Sequence, residues 1–247
     1  VESLGWETSE VATGSTIVVR PNQTHEQYKD ARVRRALAMA VNNAKILELG
    51  NADRGIPAQN HHVGPMHPEY ADIGDPVYDQ AAAKALMDEA GMGDFEHELV
   101  SIDGGYRMDS CDAVAAELRA AGINVKRTIL PGSTFWNDWT KYSFSCTNWN
   151  HRPLGVQVWG LAYRSGVAWN EFGWSNAEFD ALLDEANGIA DGAERSKVMA
   201  KAEKIVIDEG VTIQPYWRSL YRQYKPGLKG VEMHIAYLPQ WYKWSVA

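Results

Sequence analysis

The sequence predicts a mixed α/β fold in which helices are layered against a mixed β-sheet. A strand, a helix and a second strand follow one another over residues 95–130, and strands joined in this way favour parallel pairing through a right-handed crossover. Several other segments carry apolar residues at helical spacing. With 247 residues and 45% hydrophobic content, the chain can also bury a sizeable core.

The first predicted elements are a strand, a turn and a helix. Thr16–Arg20 is β-branched and favours a strand, which the Pro-Asn pair at 21–22 ends. Asp30 can cap the next helix, where apolar residues recur along one face at Val33, Leu37, Ala40 and Val41. The other faces of that helix hold three arginines that we expect in surface ion pairs: Arg32, Arg34 and Arg35.

Two short helices and a loop come next. A helical turn over Lys45–Leu49 is expected to end at Gly50, and a polar loop to run from there to about Pro76. A further helix is predicted over Asp79–Ala90, with Gly91 as its stop. We expect its core-facing stripe at Ala82, Leu86 and Ala90.

The strand–helix–strand unit and the elements after it complete the predicted layers. The unit consists of Phe95–Ile102, Asp109–Ala121 and Ile123–Leu130, and Gly122 ends its helix. We then expect a strand over Phe144–Asn150 and helices over Pro131–Lys141, Leu154–Arg164, Asn176–Asn187 and Glu194–Asp208. From Val211 onwards the chain is strand-like.

Composition excludes several classes of protein. The net charge is -8 and basic residues do not cluster beyond the short arginine set, so nucleic acid is not an expected partner. Apolar runs are too short for a membrane-spanning helix, and residues 1–3 do not begin a signal peptide, so the start is expected to be internal to a longer protein. Two cysteines, Cys111 and Cys146, are too few for a thiolate zinc site, and buried free thiols are favoured over a bridge between them.

Three stretches carry a family resemblance. Residues 30–43 (DARVRRALAMAVNN) are similar to the pattern D-x-R-V-R-R-A-L-x-x-A-I-D-R, and residues 78–91 (YDQAAAKALMDEAG) to Y-D-P-x-x-A-K-x-L-L-x-x-A-G. Residues 174–183 (WSNAEFDALL), followed by Glu194-Arg195, are similar to W-x-N-x-E-F-D-x-L-L and its downstream E-R helix. In this order they resemble the bacterial extracellular solute-binding proteins of family 5, which serve ABC importers of peptides, opines and nickel.

The resemblance implies a type II periplasmic-binding-protein fold, with a ligand enclosed between two lobes. Residues 1–21 would cross from the first lobe, residues 22–213 would form the second lobe, and residues 214–247 would return and add strands to the first. Most of the first lobe would lie outside this chain.

The same resemblance implies a function in uptake rather than catalysis. The expected partners are a small polar solute, peptide-like or opine-like, and the membrane subunits of an ABC permease. We expect a monomer without a cofactor, located in the periplasm, with a signal peptide upstream of this chain.

The loop after the Phe144–Asn150 strand is the first place to expect a ligand, because ligands of open α/β sheets gather beyond the carboxyl ends of strands. Peptide-binding relatives commonly have W-x-x-D here, whose aspartate pairs with an ammonium group, whereas this chain has Trp149-Asn150-His151-Arg152. Arg152 is therefore predicted either to hold an anionic group of the ligand or to pair with an acid inside the lobe. Trp149 and Trp169 are candidate apolar walls, and Asn150 and Asn170 are candidate hydrogen-bonding residues.

Two other functions stay open at this point. Paired carboxylates such as Glu171 and Asp180 beside aromatic walls suit a secreted hydrolase, although no nucleophile elbow, phosphate loop or zinc-protease motif occurs. A metal or metallophore carrier is suggested by His61, His62 and His67, but their segment is interpreted first as a solvated loop.

Overall fold

The computed structural model of the protein describes residues 4–246, so the start addressed above, residues 1–3, lies outside the described residues, as does residue 247. The strands are β1 (Glu7–Pro21), β2 (Gly55–Pro57), β3 (His97–Ile102), β4 (Val125–Leu130), β5 (Phe144–Trp149), β6 (Tyr216–Tyr224), β7 (Leu228–Lys229) and β8 (Ser245–Val246). The α-helices are α1 (Ala31–Met39), α2 (Asn43–Asn51), α3 (Gln80–Glu89), α4 (Gly105–Ala120), α5 (Gly132–Phe135), α6 (Gly155–Ala162), α7 (Ala177–Asn187) and α8 (Gly192–Asp208).

The main sheet is mixed, as predicted. Its strand order is β2-β6-β1-β5-β3-β4, while β7 and β8 form a separate small ribbon. Strand β3 pairs in parallel with β4 and with β5, which confirms the predicted strand–helix–strand unit. Strand β1 is antiparallel to both of its neighbours, β5 and β6. The β1–β6 register shifts between Ala12 and Thr16, so the ladder is interrupted there.

Helices cover both faces of the sheet. Alternate residues of β1 point to opposite faces, so each face of the strand packs against a different set of helices. Ile17 and Val19 belong to a core shared with α1–α4, and Val18 between them belongs to a second core shared with α6–α8. The layered arrangement predicted from the sequence is therefore present. No helix within residues 4–246 combines the length and apolarity needed to cross a bilayer.

Several predicted helix starts are confirmed by their capping bonds. The Asp30 carboxylate accepts from the backbone amide of Arg32 at the start of α1. Asp79 does the same for α3, and Asn176 caps α7 through its side-chain oxygen. Each of these side chains satisfies an amide that the first helical turn leaves without a partner. The predicted core stripe of α1 is buried throughout, from Val33 to Val41.

Three local predictions are wrong. The helix expected over Pro131–Lys141 is only the single turn α5, because turns follow directly after Trp136. Helix α2 does not end at Gly50 but continues to Asn51, and Gly50 lies against Ser110 of α4, where a side chain would clash. In α3 the fully buried positions are Ala83 and Met87, whereas the predicted Leu86 and Ala90 pack against the core only as partly buried residues.

The arginines of α1 divide into two kinds. Arg32 pairs with Asp30 at the surface, as predicted. Arg34 is instead buried: it donates to the backbone carbonyls of Tyr28, Lys29 and Glu209, and its guanidinium lies 3.8 Å from the Glu209 carboxylate. A guanidinium has five donors, and three carbonyls compensate for its removal from water. Cys111 and Cys146 are buried and unbridged, as favoured above.

Candidate functional site

A concave pocket of about 200 Å³ opens where β5 ends. Strands β3, β4 and β5 are parallel, so their carboxyl ends lie at the same edge of the sheet, where ligands of open α/β sheets gather. The pocket is lined by Trp136, Trp139, Asn148, Trp149, Asn150, Arg152 and Trp169. Four indoles and one guanidinium therefore form most of its surface.

Four of the six residues predicted for the site line this pocket: Trp149, Asn150, Arg152 and Trp169. His151 lies between two of them but points its ring towards Gly14 of β1. Asn170 does not line the pocket, because its amide group binds backbone atoms of Tyr163, Arg164 and Trp174. Its side chain orders the loop behind Trp169.

Two lining tryptophans, Trp136 and Trp139, were not predicted as site residues. Their indoles meet edge to face with centroids 6.1 Å apart, and Trp149 and Trp169 meet in the same way at 6.0 Å. Trp136 and Trp169 each expose more than a third of their surface. Exposed tryptophans beside a concave surface provide flat walls for an apolar portion of a ligand.

A buried ion pair supports these walls from behind. Arg20 of β1 donates to Glu171 at 2.6 Å, and both side chains are fully buried. Glu171 also accepts from the Trp149 indole nitrogen at 2.7 Å and from the hydroxyl of Thr147. Arg20 donates to the backbone carbonyls of Trp139 and Tyr142. One buried pair thus fixes residues on two sides of the pocket.

The guanidinium of Arg152 has no carboxylate partner within residues 4–246. Among the described residues, its hydrogen bonds are to the carbonyls of Asn150 and His151, at 3.5 and 3.1 Å, in its own loop. The internal ion pair that the sequence left open for Arg152 is therefore not formed. The remaining donors of its planar fork are free to bind a carboxylate or a phosphate.

Two histidines hold the backbone of the Arg152 loop. The Gly64 amide donates to Nδ1 of His67 at 3.0 Å, so the neutral ring carries its proton on Nε2, which donates to the Arg152 carbonyl at 3.1 Å. Burial, together with the nearby His151, lowers the pKa of His67 to about 4.

A backbone amide also fixes the ring of His151. The Gly14 amide donates to its Nδ1 at 3.0 Å. Burial, followed by the charges of Arg152 and His234, lowers its pKa, so the ring is neutral at pH 7 with its proton on Nε2. That nitrogen has no acceptor among residues 4–246, which leaves a hydrogen-bond donor beside Arg152.

The segment of His61, His62 and His67 is not the solvated loop expected from the sequence, because all three rings are buried. Burial lowers the pKa of His61 to about 3 and holds that of His62 well below its usual value. Aromatic side chains such as Tyr163 and Trp217 pack against His62. Within residues 4–246, no three His, Cys, Asp or Glu side chains gather as a metal site.

The carboxylates considered for a hydrolase have structural partners. Glu171 is fully buried, with Arg20, Thr147 and Trp149 around it. Asp180 accepts from the backbone amide of Ser165 at 3.1 Å. Glu171 has no surface on which a substrate or water would meet it, so this arrangement does not suit general acid or base catalysis.

Comparisons with known proteins agree with this architecture. The sequence model of the family described as "Bacterial extracellular solute-binding proteins, family 5 Middle" matches residues 2–163. Over 242 residues, the chain is 24% identical to the dipeptide-binding protein DppE of Bacillus subtilis, covering 92% of this chain and 44% of that protein. It is 29% identical to the di/tripeptide-binding protein 2 of Pseudomonas aeruginosa, covering 74% and 37% of the two chains. The chain therefore spans less than half the length of these curated relatives.

Solved structures show the same fold. The oligopeptide-binding protein AppA of Bacillus subtilis, in complex with a nonapeptide, superposes with a TM-score of 0.81 at 23% identity, covering 98% of this chain and 52% of that one. NikZ of Campylobacter jejuni, in complex with Ni(L-His), superposes with a TM-score of 0.80 at 20% identity, covering 97% and 53%. The predicted type II periplasmic-binding-protein fold is thereby confirmed.

Proposed function

This chain belongs to the bacterial extracellular solute-binding proteins of family 5, and we propose that the full protein captures a small polar solute and delivers it to the membrane permease of an ABC importer. The expected site is the pocket at the end of β5, with Trp149, Asn150, Arg152 and Trp169 as ligand-binding residues, His151 as a donor at its edge, and Asn170 behind the wall.

The observation that carries this proposal is the free guanidinium of Arg152 among four indoles. A planar cation without an internal acid binds an anionic group in two parallel hydrogen bonds, while the tryptophans bind an apolar portion. The solute is thus peptide-like or opine-like and bears an anionic group. The relatives named above bind peptides or a nickel complex, so the family accommodates solutes of different chemistry.

The second half of the site belongs, in this proposal, to a first lobe that this chain does not contain. Residues 22–213 would form one lobe, with residues 1–21 and 214–247 crossing to the other. The exposed indoles of Trp136 and Trp169 fit this arrangement, because closure of a facing lobe would remove them from water. Family 5 proteins act outside the cytoplasm, which supports a periplasmic location.

The test is to identify the solute that the full-length protein carries. Protein purified without denaturation is analysed by mass spectrometry for released small molecules, and the affinity for the identified solute is measured by calorimetry. Arg152→Gln should weaken binding at least about tenfold, since a charge-assisted hydrogen bond is worth roughly 1.5–3 kcal/mol.

The matched control is Arg35→Gln, which removes the same charge from an exposed position of α1 away from the pocket. It should leave affinity unchanged. A solute without an anionic group, or equal affinity in Arg152→Gln and wild type, would contradict the anion-binding role. Steady turnover of the solute would contradict the binding function itself.

A further inference from the structure

Two arginines share one tyrosine ring beside the pocket. The guanidinium carbon of Arg218, on β6, lies 3.6 Å from the centre of the Tyr106 ring, and that of Arg107 lies 5.0 Å from the same centre. Tyr106 and Arg107 are in the first turn of α4, so the two cations also lie at the positive end of that helix. Three sources of positive potential are therefore close together.

Neither cation is neutralised by the lobe. Within residues 4–246, no carboxylate oxygen lies within the 4.0 Å of an ion pair from Arg107 or Arg218, in a chain whose net charge is -8. The Nε atom of Arg218 is buried and has no hydrogen-bond partner in the described part of the chain. Stacking on Tyr106 offsets part of the repulsion between two like charges, but an unpaired buried donor remains unfavourable.

The pair of arginines is connected to the pocket through one residue. Arg107 donates from Nε to the side-chain oxygen of Asn148 at 2.8 Å. Asn148 itself lines the pocket together with Arg152. Asn148 and Trp149 are adjacent at the carboxyl end of β5 and point to opposite faces of the sheet. The arginine pair and the tryptophan wall therefore lie on either side of that strand end, and a solute bound to both would cross it at Asn148.

We propose that Arg107 and Arg218 form a second anionic subsite, and that the transported solute carries two anionic groups, one held at Arg152 and the other near Tyr106. This inference rests on the proposed function, because it needs Arg152 to bind the first group. Both carboxylate and phosphate fit a guanidinium fork, so the shared chemistry is an oxyanion. The solute would place its apolar portion against the tryptophans.

The test uses full-length protein and simple acids as probes. Binding is followed by tryptophan fluorescence and calorimetry for dicarboxylic acids from succinate to sebacate, for monocarboxylic acids of matched length, and for matched phosphonocarboxylic acids. The variants are Arg152→Gln, Arg107→Gln, Arg218→Gln and the control Arg35→Gln. The phosphonate arm distinguishes a phosphate-type second group from a carboxylate.

In the wild type, the best-fitting diacid should bind at least about tenfold more tightly than the monoacid of the same length, by the strength of a charge-assisted bond. Arg107→Gln and Arg218→Gln should abolish that advantage and leave monoacid affinity intact. Arg152→Gln should lower the affinity for both the diacid and the monoacid, and Arg35→Gln should lower neither affinity.

Other outcomes separate the two proposals. Equal affinity for diacids and monoacids, with both dependent on Arg152, would overturn the second subsite and leave the proposed function standing. If Arg35→Gln and Arg107→Gln lowered the affinity for diacids equally, the effect would come from the net charge of the protein. That result would also overturn the second subsite. Failure of every acid to bind through Arg152 would overturn the anion site of the proposed function itself.

Discussion

Glu171 accepts a hydrogen bond from the indole nitrogen of Trp149 at 2.7 Å, so a fully buried carboxylate holds one wall of the pocket in place. The charge of Glu171 is balanced by Arg20, which is equally buried. This relationship connects the stability of the fold with the shape of the pocket, because neither charge has access to water.

Glu171→Gln is predicted to destabilise the folded chain by about 3–5 kcal/mol, because it leaves the Arg20 charge buried without compensation. Chemical denaturation measures the loss. The matched control is Asp184→Asn, which breaks the exposed pair with Arg164 and should change stability far less than Glu171→Gln. Similar losses for both variants would show that the buried pair has no special role.

His67→Asn is predicted to reduce the loss of folding stability that the protein shows as the pH falls. The pKa of His67 lies at about 4 in the folded state, below its unfolded value near 6.5, so the unfolded chain binds more protons between these values. Stability therefore falls as pH drops from about 6.5 to 4. Asn preserves an acceptor for the Gly64 amide but does not titrate.

A comparison of wild type with His67→Asn separates the contribution of this histidine to the pH dependence of stability from that of the other buried histidines. We expect denaturation at a series of pH values to show that the free energy of unfolding falls less in the variant than in the wild type between about pH 6.5 and 4. The difference should be about 2–3 kcal/mol. The Gly64 amide resonance should titrate in the wild type and not in the variant. If the free energy of unfolding changed with pH equally in both proteins, the lowered pKa of His67 would be contradicted.

Glu203→Gln is predicted to change stability at alkaline pH instead. Burial raises the pKa of Glu203 to about 8, and the nearby carboxylate of Glu69 acts in the same direction. His61 faces it at 4.0 Å. The folded state thus retains the Glu203 proton that the unfolded state releases near pH 4.5, so stability falls as pH rises from about 5 to 8.

Replacement by Gln should abolish this decline, making the variant roughly 2–4 kcal/mol more stable relative to wild type at pH 9 than at pH 5. Glu194→Gln, on the exposed side of the same helix, is the control and should follow the wild-type profile. Parallel pH profiles for wild type and Glu203→Gln would refute the raised pKa.

Gly50→Ala is predicted to destabilise the packing of α2 on α4. An added Cβ would lie 2.8 Å from Cα of Ser110, a contact that requires the backbone to move, at a cost of about 1–3 kcal/mol. Gly160→Ala in α6 is the matched helical control, with no atom within 4 Å of its added Cβ. It should stabilise by about 0.5–1 kcal/mol. Thermal unfolding distinguishes the opposite signs.

Local signals predicted most of the fold. Helix starts were found where a capping side chain precedes an apolar stripe, as at Asp30, because the cap and the stripe lie within one turn. Prediction failed where distant chain segments decide the outcome. Arg34 is charged and local rules place it in water, yet the carbonyl of Glu209, far along the chain, helps to bury it.

The site was predicted in part for the same reason. The loop from Trp149 to Arg152 follows a recognisable strand, so its position at the sheet edge follows from a general rule. The sequence places Trp136 inside a long helix, but that helix is only the single turn α5, and the Trp136 indole lies at the pocket. The nearness of Arg107 and Arg218 depends on strand order, which pairs β6 with β1, and no local pattern reveals it.

The interrupted ladder between Ala12 and Thr16 has a mechanical consequence. On its outer side, residues 7–12 pair with β6 as a largely exposed ribbon, and on its inner side β1 is buried in the sheet. The interruption contains Gly14, whose amide is bonded to His151, and Ser15, whose hydroxyl accepts from the His151 amide. A change in the twist of the outer ribbon would thus reach the base of the Arg152 loop directly, through the hydrogen bonds that join Gly14 and Ser15 to His151.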